Sequence, residues 1–373
     1  MKYNFDKVID RSGTSAEKVE GLKHIWGRTD LIPLWVADMD FATAPFVTDA
    51  IRKRCENEVL GYTGKPDSYY NAIINWVKQR YDLIVTKEVI NFVPGIVPGI
   101  GMAMNCFTQK GDKVMIQPPV YHPFAWVTTR NERTLVINPL KWENGMYRMD
   151  LDAFREQIKG CKLFILCNPH NPGGVVWTEA ELRAIADICY DEKVLVFSDE
   201  IHADLTLPPH THRPFATVSE KARMNSVTFM SPSKAFNMPG LSASHALIFN
   251  EDLRKRFRIY MDAGELDMGH VFAFLSVEAA YSHGTEWLDQ CLAYIQGNID
   301  FVDEFLKKHA PKIKAIRPEA SYLVWLDCRE LELSQKDLNE FFVDKAHLAL
   351  NDGEMFGKEG IGFMRLNVAS PRC

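Results

Sequence analysis

The sequence has no uninterrupted apolar run near the roughly 18 residues of a membrane span, so no membrane partner is expected. Its opening, Met1-Lys2-Tyr3-Asn4-Phe5-Asp6, has no apolar core of the signal-peptide kind. There is no basic block. The 43 Lys and Arg are interspersed with 49 Asp and Glu, for a net charge of −6, which argues against nucleic acid as a partner. The eight cysteines, Cys55, Cys106, Cys161, Cys167, Cys189, Cys291, Cys328 and Cys373, form no Cys-x-x-Cys pair. Several lie in apolar runs, and they read as reduced core thiols of a cytoplasmic protein. His210-Thr211-His212 sits in a proline-bounded loop without further ligands at zinc spacing, so no metal is expected. Internal repeats and low-complexity stretches are also lacking. What remains is a chain of 373 residues, 46% hydrophobic and 25% charged, which suits a globular protein with a large core and two domains.

From about residue 87 to 250, short apolar runs alternate with helical stretches. Strands are expected at Val89–Val93, Lys113–Gln117, Thr134–Asn138, Leu163–Cys167, Val194–Ser198, Ser226–Met230 and Ala243–Phe249. Helices between them include Pro98–Thr108, Leu151–Ile158 and Glu179–Asp191. Strands separated by helices imply an α/β fold with a mostly parallel sheet, whose ligand sites lie beyond the carboxyl ends of the strands. After residue 284 the pattern changes to a long helix, about 286–309, then strands near 313–316 and 322–327, a helix near 334–346 and a strand at Phe363–Val368. The reading is a small α+β domain at 285–373, a large domain at 46–284, and an N-terminal arm over 1–45 that joins the small one.

Lys234 lies between small hydroxyl residues in Ser231-Pro232-Ser233-Lys234, with Gly240 six residues on. Such a lysine is ordinarily a solvated surface charge. Asp199 changes the balance: it ends the apolar run Val194-Leu195-Val196-Phe197-Ser198, and a carboxylate at a buried strand end needs a partner. An aldehyde cofactor held as a lysine imine, with an acid against its ring nitrogen, uses such a pair. The plainer reading of Asp199 is a helix cap or a surface ion pair. Asn171 lies in Asn168-Pro169-His170-Asn171-Pro172-Gly173-Gly174, a tight loop after another apolar strand. Gly95-Ile96-Val97 opens a helix whose free amides can bind an anion, though strand–glycine–helix turns are common. Arg365 interrupts the apolar strand Phe363-Met364-Arg365-Leu366-Asn367, and its guanidinium is a natural fork for an α-carboxylate.

These motifs together resemble the fold-type I pyridoxal 5'-phosphate (PLP) enzymes of the aminotransferase class I/II superfamily. Leu34-Trp35-Val36-Ala37-Asp38-Met39-Asp40-Phe41, Asp199-Glu200-Ile201-His202 and Met364-Arg365-Leu366-Asn367 are similar to the cystathionine β-lyases of the MalY/PatB type. The resemblance implies a large domain built on a mostly parallel seven-stranded sheet beside the smaller α+β domain. It assigns Lys234, Asp199 and Tyr121 to catalysis, Tyr121 as the aromatic that stacks on the ring. It places Gly95, Ile96, Val97, Asn171, His202, Ser231 and Ser233 around the cofactor. Arg365 and Ala37 are assigned to the substrate. Tyr62, in Gly61-Tyr62-Thr63, is implied to reach the phosphate of a neighbouring subunit, which makes the active form a homodimer with shared sites. One departure is Ser242, where most aminotransferases carry a phosphate-pairing arginine. Relatives also usually continue into a last helix beyond the position of Cys373.

The implied activity is C–S β-lysis of cystathionine or another cysteine S-conjugate to a thiol, pyruvate and ammonia. Residue chemistry alone does not separate this from an aminotransferase. A PLP-binding protein that acts mainly on a regulatory partner is a third reading.

Overall fold

The computed structural model describes residues 3–372; Cys373, one of the expected thiols, lies outside them. Seven strands form the central sheet: β1 (Ile90–Val93), β2 (Lys113–Ile116), β3 (Thr134–Ile137), β4 (Cys161–Cys167), β5 (Leu195–Asp199), β6 (Ser226–Met230) and β7 (Ser244–Leu247). Their order is β1-β7-β6-β5-β4-β2-β3. Strand β7 runs antiparallel to both neighbours, and the other pairs are parallel. The central strands are apolar because helices cover both faces: every residue of β6 is buried, and Lys162 alone emerges from β4.

A second sheet is antiparallel, with β8 (Lys314–Ile316), β9 (Leu323–Asp327), β10 (Asn351–Asp352) and β11 (Phe363–Asn367) in the order β8-β9-β11-β10. The 25-residue helix Thr285–His309 leads into it. The N-terminal arm closes back over the fold. Phe5 packs edge-on against Phe41 and Trp287, and Ile32-Pro33 pairs in parallel with Leu348-Ala349. Lys18, on the arm helix Glu17–Trp26, is wholly buried and donates to Asp40 at 2.7 Å, while Arg11 bridges Asp38 and Asp40.

Several elements differ from the sequence expectations. The helix expected at Pro98 begins at Ile96, so Pro98 sits inside its first turn, where a missing N–H costs nothing. The expected helix 334–346 is Gln335–Glu340 followed by a π turn over Phe341–Lys345. The helix Val271–His283 is apolar on all sides, burying Ala273, Phe274, Val277 and Ala280 among others. It therefore lacks the 3.6-residue rhythm by which a helix is recognised.

Candidate active site

The site forms where β4, β5 and β6 end together. Cys167 is in register with Asp199, and Asp199 with Phe229. The ladder runs one residue further, Asn168 N donating to Asp199 O and Glu200 N to Phe229 O, each at 2.9 Å. The Asp199 side chain is thereby held at the rim of the sheet, on the wall of a cavity of about 200 Å³. Ala37, Gly95, Ile96, Val97, Tyr121, Asn171, His202, Ser233 and Lys234 share that wall. Residues more than a hundred positions apart are thus brought together.

Asp199 is 3% exposed, and its Oδ1 accepts from the Ile201 amide at 3.1 Å. Burial pushes its carboxyl up to about 7; the neighbouring Glu200 adds to this, and the Ile201 amide and Lys234 oppose it. Lys234 Nζ donates to the Ala37 carbonyl at 2.5 Å. Burial, then the charge of Arg365, bring this amine down to about 8, against the pull of Asp38 and Asp199. Near neutral pH a usable fraction is therefore unprotonated and nucleophilic. His202 is buried and held neutral, its pKa lowered to about 3 chiefly by burial. Its Nδ1 has no hydrogen-bond partner among the described residues.

Gly95 joins β1 to the helix Ile96–Phe107 with φ 151°, a conformation that L side chains rarely adopt, and a Cβ there would lie 3.3 Å from Pro98. The first helical bond is Gly99 N to Gly95 O, so the amides of Ile96 and Val97 have no intrahelical acceptor. They open on the cavity beside Ser233, Ser242 and Ser244. Amides at a helix start plus hydroxyls suit a phosphate group. Ser242, at φ 47°, occupies the wall where an arginine was absent from the sequence.

Asn171 accepts from Arg365 Nη1 at 3.2 Å through Oδ1, which reserves its Nδ2 donors for a ligand. Arg365 is buried. Its Nη2 donates to Asn351 Oδ1 at 2.5 Å and to the Trp35 carbonyl at 3.2 Å, and the guanidinium lies 4.8 Å from the Phe356 ring centre. Its Nε has no partner among the described residues, and burial lowers its pKa to about 10. A buried guanidinium with one N–H left unpaired, joined to the cavity wall through Asn171, is chemically suited to a carboxylate.

Two sequence-predicted residues stand apart. Ser231 lies behind the wall: its Oγ donates to Ala243 O at 2.8 Å and accepts from Ser233 N at 3.1 Å. Tyr62 is 98% exposed, in the irregular segment 57–66 beside the exposed Val59 and Leu60. The Gly173-Gly174 pair of the tight loop gives room to other side chains. A Cβ on Gly173 would meet His170 and Tyr147 at 2.9 Å, and one on Gly174 would meet Pro318 at 2.6 Å.

The sequence reading also missed the residues that hold the site from behind. Asn367 Nδ2 donates to the Val36 and Asp38 carbonyls, both at 2.6 Å, and Tyr322 Oη to Ala37 O at 3.0 Å. Asn237, at φ 52°, exchanges hydrogen bonds with Met39 through N and O and donates to Phe41 O. Its place three residues after Lys234 was the one available signal; Tyr322 and Asn351 carried none.

The donor set fits a phosphorylated pyridine aldehyde. A helix start and hydroxyl residues line one part of the cavity, a buried acid and a lysine of lowered basicity line another, and Arg365 adjoins it through Asn171. Residues 29–372 match the profile of the family described as aminotransferase class I and II, and the chain belongs to that family. Within it, the similarity is to the MalY/PatB branch. The cystathionine beta-lyase PatB of Bacillus subtilis is 39% identical, over 98% of this chain and 95% of that protein. Protein MalY of Escherichia coli is 30% identical, over 99% and 95%. Among solved structures, the PLP-bound C-S lyase of Staphylococcus hominis superposes with a TM-score of 0.91 at 36% identity, covering all of this chain and 95% of the other.

Proposed function

We infer that this protein is a PLP-dependent carbon–sulfur β-lyase that cleaves cystathionine or a related cysteine S-conjugate to a thiol, pyruvate and ammonia. The observation that carries the reading is the meeting of Lys234, Asp199 and the Ile96–Val97 amides in one cavity, next to an arginine with an unpaired N–H. The similarity to lyases over nearly the whole chain selects β-lysis over transamination.

In this reading the Gly95–Val97 turn and Ser233 hold the phosphate. Tyr121 would face the ring, Asn171 and His202 would meet its phenolic side, and Asp199 would pair with its nitrogen. When bound, PLP supplies an electron sink for charge developing at the substrate α-carbon. Arg365 binds the α-carboxylate, and the Ala37 backbone closes the same side. Lys234 Nζ would take up the α-proton, for which a pKa of about 8 suits it. Ser231 acts one step back, fixing Ser233. Residues 46–284 hold the cofactor, while the arm over 1–45 and residues 285–373 supply the carboxylate side.

The test is release of pyruvate from cystathionine, run across a panel of thioether and disulfide amino acids without added keto acid. Strict dependence on a keto acid would replace the lyase with an aminotransferase. Full cofactor loading with negligible turnover on every amino acid would favour a role in binding a regulatory partner.

We also propose a cytoplasmic homodimer with shared sites. The exposed Val59, Leu60 and Tyr62 form an apolar loop suited to burial against a second copy. Tyr62 is then donated to the partner's phosphate. Tyr62→Ala and Lys234→Ala chains, each inactive alone, regain part of the activity when mixed and allowed to exchange, because one site in each hybrid has both residues. Hybrids that form and stay inactive would count against sharing.

A further inference from the structure

A second acid lies directly behind Asp199. Successive strand residues point to opposite faces, so Asp199 enters the cavity while Glu200 enters the opposite side of the fold. Glu200 is 1% exposed and is met by three donors. Ser198 Oγ and the Phe215 amide donate to Oε1, each at 2.8 Å, and His212 Nε2 lies 2.8 Å from Oε2. Nδ1 of His212 is buried without a partner among the described residues. A proton there would be an orphaned donor, so the network assigns it to Nε2. His212 Nε2 then donates to Oε2. Three donors on two oxygens are what a buried carboxylate requires to keep its charge.

We propose that Glu200 is a positioning residue of the cofactor site: a second buried negative charge, held by Ser198, His212 and Phe215, that fixes Asp199 and favours positive charge on the ring Asp199 binds. This rests on the assignment of Asp199 to the ring nitrogen. The other groups around the pair are known. Asp199 and His202 lie on its own segment, and Lys234, Tyr121, Cys167 and Arg365 lie on the cavity side. Behind His212 stands Tyr81, ring centres 5.5 Å apart, which donates to Asp204, also held by Trp76 Nε1 at 3.0 Å. Arg80, beside Tyr81, is engaged by Asp289, and Arg213, beside His212, is more than half exposed and faces Glu179. Within this network Glu200 has no cation as a direct partner, so its charge acts on Asp199 with little offset.

The experiment titrates the visible absorption of the bound cofactor in the intact holoenzyme. Removing a negative charge makes nearby positive charge costlier, so protons leave at lower pH. Glu200→Gln, close in shape, should lower the midpoint by about half to one pH unit. Glu200→Asp keeps the charge and should restore most of the shift. His212→Gln keeps a donor to Oε2 and should leave the midpoint within about 0.2 units of wild type. An unchanged or raised midpoint in a Glu200→Gln protein with normal cofactor content and melting temperature would overturn the proposal. So would equal shifts in Glu200→Gln and His212→Gln, which would reduce the pair to packing. If Glu200→Gln does not fold, the double variant Glu200→Met/His212→Phe serves instead: it removes the acid together with its ring partner, and the midpoint must fall. A wild-type protein that binds no PLP would overturn the functional reading as well, and so is distinguishable.

Discussion

Lys234→Ala protein is expected to lose the visible band of the loaded enzyme and to turn over at least about 10³-fold more slowly, since it lacks both the nucleophile and the base. The chain should fold normally. Lys234 makes one hydrogen bond, to Ala37 O, and that carbonyl keeps Tyr322 Oη as a second donor. Removing a buried amine whose basicity the site already depresses should not destabilise the protein. Borohydride reduction of the loaded wild type, followed by peptide mapping, should place the cofactor adduct on Lys234. An adduct on any other lysine would sink the assignment.

The second large effect is on substrate affinity. Arg365→Ala should raise KM strongly at unchanged cofactor content. A charge-assisted pair in a mostly dry site is worth roughly 2–5 kcal/mol when one partner is removed, or about 30-fold to a few thousand-fold. The guanidinium is already oriented by Asn351, the Trp35 carbonyl and the Phe356 ring, so the bound carboxylate meets a preset fork. Arg365→Lys should recover only part of the loss, because an ammonium cannot make two parallel bonds. Asn171 loses its Oδ1 donor in Arg365→Ala, so a small shift of the absorption maximum is expected without release of the cofactor. A variant that melts early or sheds cofactor with near-normal KM would show Arg365 to be structural.

The parallel sheet was legible because its strands are continuous apolar runs between turn signals, and all seven expected strands occur within a few residues of their places. Asp199, Asn171 and Gly95 were legible as strand-end positions for the same reason, and the fold brings all three to one cavity. Ser231 was not: a hydroxyl near a lysine reads as a ligand until its acceptor, Ala243 O, is seen. The same holds for Glu200 and His212. A His in a loop and an acid beside an acid declare nothing until the fold sets them 2.8 Å apart. Helix Val271–His283 was hidden because its apolar residues are spread around it rather than gathered on one face. The arm was hidden because what fixes it, such as Asn367 holding the Val36 and Asp38 carbonyls, spans most of the chain.

That last stitching bears on the order in which the protein acquires its abilities during synthesis. Residues 90–247 complete the central sheet, the helix start and the lysine turn well before the ribosome reaches β11. Ala37 emerges early but is secured by Tyr322 and Asn367, and the arginine fork comes only with Arg365. A growing chain can therefore complete the wall around Asp199 and Lys234 before Arg365 and the contacts that secure Ala37 exist. Contacts of such long sequence separation close late and slowly. The stretch that carries Ala37 is therefore the last part of the cavity wall to be secured.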